Sequence, residues 1–260
     1  MSVCGLPEFR LHATPESVAR WCIGRDGTLA PPPAEGDALP LAYLVFLRVQ
    51  PILGLSIHRH LARDPDRGLY GGVTYAATRT PRVGEAFVAT AEVTSRREVE
   101  SPRGTMVLRS LATTYRDGAG PVVTETVRMV DLPAGPPADP ARGPARPPAH
   151  EPVAVIAPLT RTQVAWLTVE TGDMNALHLD IAYAAARRYP NVVIPGTLTV
   201  ALIERELAKV LGRPLARIDL RLTAASYPGE EYRLHAAAKG DGLGYELFCG
   251  EELRAEGSAA

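Results

Sequence analysis

The chain has 260 residues, of which 46% are hydrophobic and 22% charged, and its formal net charge is −1. That suits two domains of roughly 130 residues, or one large one, with enough apolar side chains for a sizeable core. The balanced charge, with no block of like sign, argues against a nucleic-acid footprint or an anionic-membrane anchor.

The N-terminal residues lack the basic-then-apolar layout of a signal peptide. Residues 8–24 read as a helix entered at Thr14-Pro15-Glu16-Ser17, with Val18, Trp21 and Cys22 spaced to share one face. Residues 24–38 are rich in glycine and proline and read as a loop. The run from Leu39 to Leu47 is apolar nearly all round and predicts a short buried helix, ended by Pro51 and Gly54. At about ten residues it is too short to span a bilayer. From Leu69 the pattern changes. Segments 69–80, 86–97, 105–115 and 122–131 are β-rich and separated by turn residues, which predicts a four-stranded antiparallel meander. Helices followed by a run of strands indicate an α+β layer.

Residues 132–152 carry proline at a density that forbids helix and ladder alike, and they read as a semi-extended linker. The expected division is an N-terminal domain at 1–132, a linker at 133–152 and a C-terminal domain at 153–260. The second half repeats the order of the first. A short strand at 153–159 precedes a capping box, Thr160-Arg161-Thr162-Gln163, and a helix to about Glu170. A second short helix at 181–189 stops at Pro190. After Pro195-Gly196, residues 197–211 carry an apolar stripe of Leu198, Leu202, Ile203, Leu207, Val210 and Leu211. Strands follow at 216–226, 232–238, 245–249 and 253–259. Two such halves can pair their sheets edge to edge and hide both exposed edges.

Within the second half lies Gly172-Asp173-Met174-Asn175-Ala176-Leu177-His178-Leu179-Asp180. It gathers carboxylates, an amide and an imidazole shortly before a glycine-led helix. A carboxylate, an imidazole and a free helix N-terminus are the parts needed to move a proton beside a polarised carbonyl. Asp180 directly precedes a helix and reads as its N-cap. His58-Arg59-His60 has no carboxylate or thiol close in sequence and does not read as a metal site. Gly240-Asp241-Gly242-Leu243-Gly244 joins two strands and opens no helix, so it reads as a hairpin turn and not a dinucleotide loop. Cys4, Cys22 and Cys249 form no CxxC and no zinc-ligand spacing. They read as packing residues in a reducing cytoplasm.

The pattern Gly172-Asp173-x-Asn175-x-x-His178-x-Asp180, with Pro195-Gly196 downstream, resembles the MaoC-like, or R-specific enoyl-CoA hydratase (hydratase 2), family. Gly71-Gly72-Val73-Thr74-Tyr75 through Pro81-Arg82-Val83-Gly84 carries a weaker likeness to the degenerate N-terminal domain of its two-domain members. The resemblance implies a double hot dog, each half a curved antiparallel sheet around a helix. It implies that Asp173 and His178 act on one water and on the proton at C2 of an acyl thioester. It further implies that Asn175 holds the loop and substrate, and that Gly196 offers its N–H to the thioester carbonyl. Glycine there allows close backbone approach, and a helix N-terminus stabilises charge on a carbonyl oxygen. Ala176 stands where the family more often has proline, and Pro195 where it more often has histidine; neither change removes a catalytic group.

The expected protein is therefore a hydro-lyase interconverting a trans-2-enoyl thioester and an (R)-3-hydroxyacyl thioester in fatty acid metabolism. The thioester is of CoA or of acyl-carrier protein, and no cofactor or metal is called for. It is expected to be cytoplasmic, bound neither to nucleic acid nor to a membrane, and a monomer or homodimer. The N-terminal half lacks the motif and is expected to be non-catalytic, its segment 39–47 making room for the acyl chain. Three alternatives stand beside this: a specialised lyase of a biosynthetic, polyketide-like pathway, a non-catalytic partner subunit, and a hot-dog thioesterase. A thioesterase places its carboxylate on the long helix, where Glu204 and Glu206 lie well inside.

Overall fold

The computed structural model describes residues 8–28, 31–45, 67–101, 104–133, 135, 139–173 and 175–260; Cys4, Pro51, Gly54, Met174 and His58-Arg59-His60 lie outside them. The first half contains strand β1 (Phe9–His12), helix α1 (Pro15–Asp26) and strands β2 (Gly68–Ala77), β3 (Ala86–Ser101), β4 (Gly104–Asp117) and β5 (Gly120–Asp131). The second half opens with β6 (Pro152–Ile156) and α2 (Arg161–Thr171). The helices α3 (Ala176–Leu179), α4 (Ile181–Ala186) and α5 (Gly196–Leu211) follow. Strands β7 (Arg217–Leu222), β8 (Tyr232–Lys239), β9 (Gly242–Cys249) and β10 (Glu252–Ala259) complete it.

The helix expected over 8–24 divides. Phe9–His12 pairs antiparallel with β3, Phe9 opposite Ala89, and the helix begins only at Pro15, where Thr14 accepts a hydrogen bond from the Ser17 amide. Four alternating residues are too few for periodicity to separate strand from helix, and edge pairing decides. The strands form one ten-stranded sheet in the order β1-β3-β4-β5-β2-β7-β10-β9-β8-β6. The halves meet at β2 and β7, antiparallel, with Val73 opposite Leu220 and Tyr75 opposite Ile218. Edge-to-edge pairing thus removes one free edge from each half. Thr74 donates its hydroxyl to Asp219 across this seam, and Arg128 pairs with Asp219 at 3.1 Å.

The inner face of the sheet packs on the helices. Leu198, Val200, Ala201, Leu202, Ile203 and Leu207 of α5 are buried, and that helix contacts β2, β6 and β7. Apolar burial of this kind, about 25 cal/mol per Å², is the main force holding helix to sheet. Helix α1 lies on α2, with the Trp166 indole donating to the Arg20 carbonyl at 3.1 Å and Arg20 paired with Glu170 at 3.0 Å. In the apolar run, residues 43–45 are helical and every hydrophobic residue from Leu39 to Val45 is at most 2% exposed; 46 and 47 lie outside the described residues. Tyr43 bonds Ser17 at 2.6 Å and meets Trp21 edge-on. These side chains belong to the apolar core.

The proline-rich stretch is extended, as its composition requires, but it is held against the protein. The Gly143 amide donates to Glu252 at 2.9 Å, Arg146 pairs with Glu246 at 2.5 Å, and His235 Nδ1 lies 2.6 Å from the His150 carbonyl oxygen. It runs over the outer face of β8, β9 and β10, where Phe248 and His235 are buried beneath it and stack edge to face.

Candidate active site

The loop after α2 begins at Gly172, whose left-handed φ of 68° closes the helix, and Asp173 follows at once. Asn175 then starts α3 as its N-cap, accepting from the Leu177 amide at 3.0 Å. This one-turn helix, absent from the sequence reading, holds His178 near its end. Two residues on, Asp180 caps α4 by accepting from the Ala182 and Tyr183 amides at 2.8 and 3.1 Å. The expected cap role is met, and Asp180 is taken up by backbone donors.

His178 Nε2 lies 3.6 Å from Asp173 Oδ2, so the structure brings the two sequence-selected groups together. The imidazole is 11% exposed and the carboxylate 34%, so the pair is open to solvent on the Asp173 side. His178 Nδ1 sits 2.7 Å from the Val193 carbonyl oxygen. A carbonyl can only accept, so Nδ1 carries the proton, and a neutral ring presents the Nε2 lone pair towards Asp173. Sequence reasoning missed Val193, and no local signal marks it, because its role is that of a backbone carbonyl brought in by folding. The Val193 amide also donates to the Leu177 carbonyl at 3.0 Å, so α3 and the segment 192–194 are tied at two points.

That segment leads into α5. The Ile194 amide donates to the Ser226 carbonyl at 2.8 Å, and Pro195 takes the N-cap position without a side-chain capping bond. Gly196 is the first helical residue. It stands three residues beyond the anchor of His178, which is at most about 10 Å of chain. The Leu198 and Thr199 amides donate to the Pro195 carbonyl at 3.0 and 3.1 Å, so the Gly196 and Thr197 N–H groups precede the first helical bond and lie at the positive end of the helix dipole. Gly196 adopts no positive φ, so its lack of a side chain meets a demand for space. A Cβ there would lie 2.5 Å from Tyr70 Cδ1 and 2.9 Å from Leu222 Cδ1. Tyr70, from the first half, is a second residue the sequence reading missed, although the adjacent Gly71-Gly72 pair was a signal of irregular backbone.

The two carboxylates inside α5 have other engagements. Glu204 accepts from the Leu41 and Ala42 amides at 2.6 and 2.9 Å and caps the turn at 41–45 from across the core. Burial pushes its carboxyl up to about 7, against the lowering pull of those two amides and of Arg25. Glu206 pairs with Arg205 at 2.6 Å and Lys209 at 3.0 Å. Among the described residues there is no group of three or more His, Cys, Asp or Glu side chains placed to hold a metal ion. A groove of about 570 Å³ on the outer face, lined by Asp219, His235, Lys239, Glu246 and Glu256, is lined by neither Asp173 nor His178. No helix of the described residues is long and apolar enough to cross a membrane.

No protein-family model matches the chain, and no curated protein matches it in sequence. Solved structures do match in fold. HtdX of Mycobacterium tuberculosis is similar with a TM-score of 0.74 and 17% identity, over 99% of this chain and 98% of that one. A MaoC-like dehydratase from Phytophthora capsici is similar with a TM-score of 0.76 and 16% identity, over 99% of this chain and 94% of that one. An acyl-ACP thioesterase from Bacteroides thetaiotaomicron is similar at 0.56 and 13%, over 97% of this chain and 96% of that one. With ten antiparallel strands among the described residues wrapped on helices in two joined halves, the chain has the double hot-dog fold seen in MaoC-like dehydratases.

Proposed function

We propose that the chain is a hydro-lyase that interconverts a trans-2-enoyl thioester and an (R)-3-hydroxyacyl thioester. The observation that carries this reading is the Asp173–His178 pair at 3.6 Å, its imidazole oriented by the Val193 carbonyl. A carboxylate oxygen and a neutral Nε2 are both acceptors, so a water lying about 2.8 Å from each donates one hydrogen to either side. Its lone pairs are then free, and one attacks C3 of the enoyl group. One proton passes from that water to the Asp173–His178 pair, and a proton from the pair goes to C2. The sum is addition of H and OH across the double bond, and the reverse path dehydrates the 3-hydroxyacyl thioester. Charge developing on the thioester oxygen is met by the Gly196 N–H and the dipole of α5. Asn175 holds the turn that presents His178 and lines the substrate's approach.

The fold also carries thioesterase chemistry in one similar protein. A hydrolase reading would draw on a carboxylate of α5, and here both oxygens of Glu204 are bonded to Leu41 and Ala42 and Glu206 is ion-paired. The test is to incubate the protein with crotonyl-CoA and longer enoyl-CoAs, following enoyl absorbance, free thiol and the chirality of the product. Loss of absorbance with the thioester intact and an R product is the expected result. Thiol release without hydration would replace the reading with a thioesterase. No turnover of any thioester, on CoA or on acyl-carrier protein, would contradict it in favour of a non-catalytic subunit.

A further inference from the structure

Strand β2 carries an irregularity that changes the direction of one side chain. Val73 and Tyr75 face the core and are fully buried, while Thr74 faces outward to Asp219. Strict alternation would send Tyr70 outward with Thr74. The pairing with β5 slips between them: Gly72 stands opposite Arg128 and Tyr70 opposite Met129, which leaves Gly71 as an extra residue. One inserted residue reverses the face of everything before it. Met129 is buried with Val127 on the inner face, and Tyr70 opposite it, partly buried, packs against the same core. Glycine is required at the crossing, since a Cβ on Gly72, at φ 148°, would come within 2.1 Å of the Leu220 carbonyl oxygen.

The redirected ring ends at the second half's candidate site. Tyr70 Cδ1 and Cε1 lie 2.5 and 3.0 Å from the place a Gly196 Cβ would take, and Leu222 Cδ1 closes the same space at 2.9 Å. A ring from the half that lacks the motif therefore rests on the residue whose N–H leads α5. Bulges beside active sites commonly serve to re-aim a side chain.

We propose that Tyr70 is a specificity-determining residue: its ring, with Leu222, forms the wall beside the Gly196 N–H and restricts the site to 2-enoyl thioesters unbranched at C2. This rests on the reading above, in which the Gly196 N–H meets the thioester carbonyl. C2 is bonded directly to that carbonyl carbon, so a substituent on C2 is the part of the acyl group nearest the wall. The Tyr70 hydroxyl has no part in the restriction; the ring does.

The test compares wild type, Tyr70→Ala and Tyr70→Phe on crotonyl-CoA and on its 2-methyl analogue. Tyr70→Ala is expected to raise the kcat/KM ratio of branched over unbranched substrate by about tenfold or more, the discrimination a single methyl group affords in a packed pocket. Tyr70→Phe is expected to keep the wild-type ratio. A uniform loss on both substrates, or an unchanged ratio in Tyr70→Ala, overturns the proposal and leaves the hydratase reading intact. A wild type that hydrates neither thioester overturns both. A second measurement does not depend on turnover. Gly196→Ala is expected to lower the melting temperature of the wild type, and most of that loss is expected to vanish in the Tyr70→Ala background. Additive losses would show that the ring and Gly196 are not in contact and would overturn the proposal.

Discussion

At the scale of the residue, the site is a division of labour among neighbours. Asp180 is taken up in capping α4, which leaves Asp173 as the carboxylate facing His178. Asn175 supports that pair through its bond to the Leu177 amide, one residue before the imidazole. Asn175→Ala is expected to cost about 1 kcal/mol, the usual price of an N-cap, and to lower kcat through a loosened His178. Asn175→Asp keeps a capping oxygen and is expected to recover most of the stability; chemical denaturation of the two variants checks this. The spacing of Asp173, Asn175 and His178 made the pair legible in the sequence, since all three lie on one short stretch. Val193 and Tyr70 were not legible. Val193 meets the imidazole through a backbone carbonyl, which leaves no mark on residue type, and Tyr70 reaches Gly196 through a strand register that only the neighbouring Gly71-Gly72 pair hinted at.

At the scale of the element, local chemistry was readable where it is self-contained. The Thr160–Gln163 capping box forms as its residues require, with Thr160 N donating to Gln163 Oε1 at 2.8 Å and Gln163 N to Thr160 Oγ1 at 3.1 Å. Thr160→Ala is expected to destabilise by about 1 kcal/mol, measured by urea titration. Strand β1 and helix α3 escaped the reading because four residues carry too little periodicity, and tertiary pairing decides their state. Helix α5 contributes a property that only burial creates. The Glu204 carboxyl, ordinarily near 4.5, is pushed up to about 7. A folded value above the unfolded one means that the folded state holds the extra proton between the two. The contribution of Glu204 to stability is complete below about 4.5 and is lost as pH rises through about 7. The loss is on the order of 3 kcal/mol at full displacement. Melting curves of wild type and Glu204→Gln from pH 5 to 8 are expected to separate as pH rises, with the wild type alone losing stability. Parallel curves would contradict this.

At the scale of the whole molecule, the two halves share one sheet and a common helix layer. The β2–β7 seam is reinforced by Arg128 and Asp219. On the helix side, Asp26 of α1 joins Arg25 at 2.6 Å and Arg205 of α5 at 2.7 Å. Architecture of this kind was foreseeable from two similar runs of strands separated by proline, whereas the register of the seam depends on which faces must be buried. Shared structure predicts joint unfolding. Trp21 lies in the first half and Trp166 in the second, so single-tryptophan variants report each half by fluorescence. Their urea transitions are expected to coincide with each other and with far-ultraviolet circular dichroism; two separated transitions would contradict a single cooperative unit. The central claim is that Asp173 and His178 act on the same water. It is tested most directly by kcat/KM for enoyl-CoA hydration in wild type, Asp173→Asn, His178→Ala and the double variant. Each single substitution is expected to lower kcat/KM by about 10²–10⁴-fold, with the double variant little worse than either. Hydration that survives both substitutions would contradict the account.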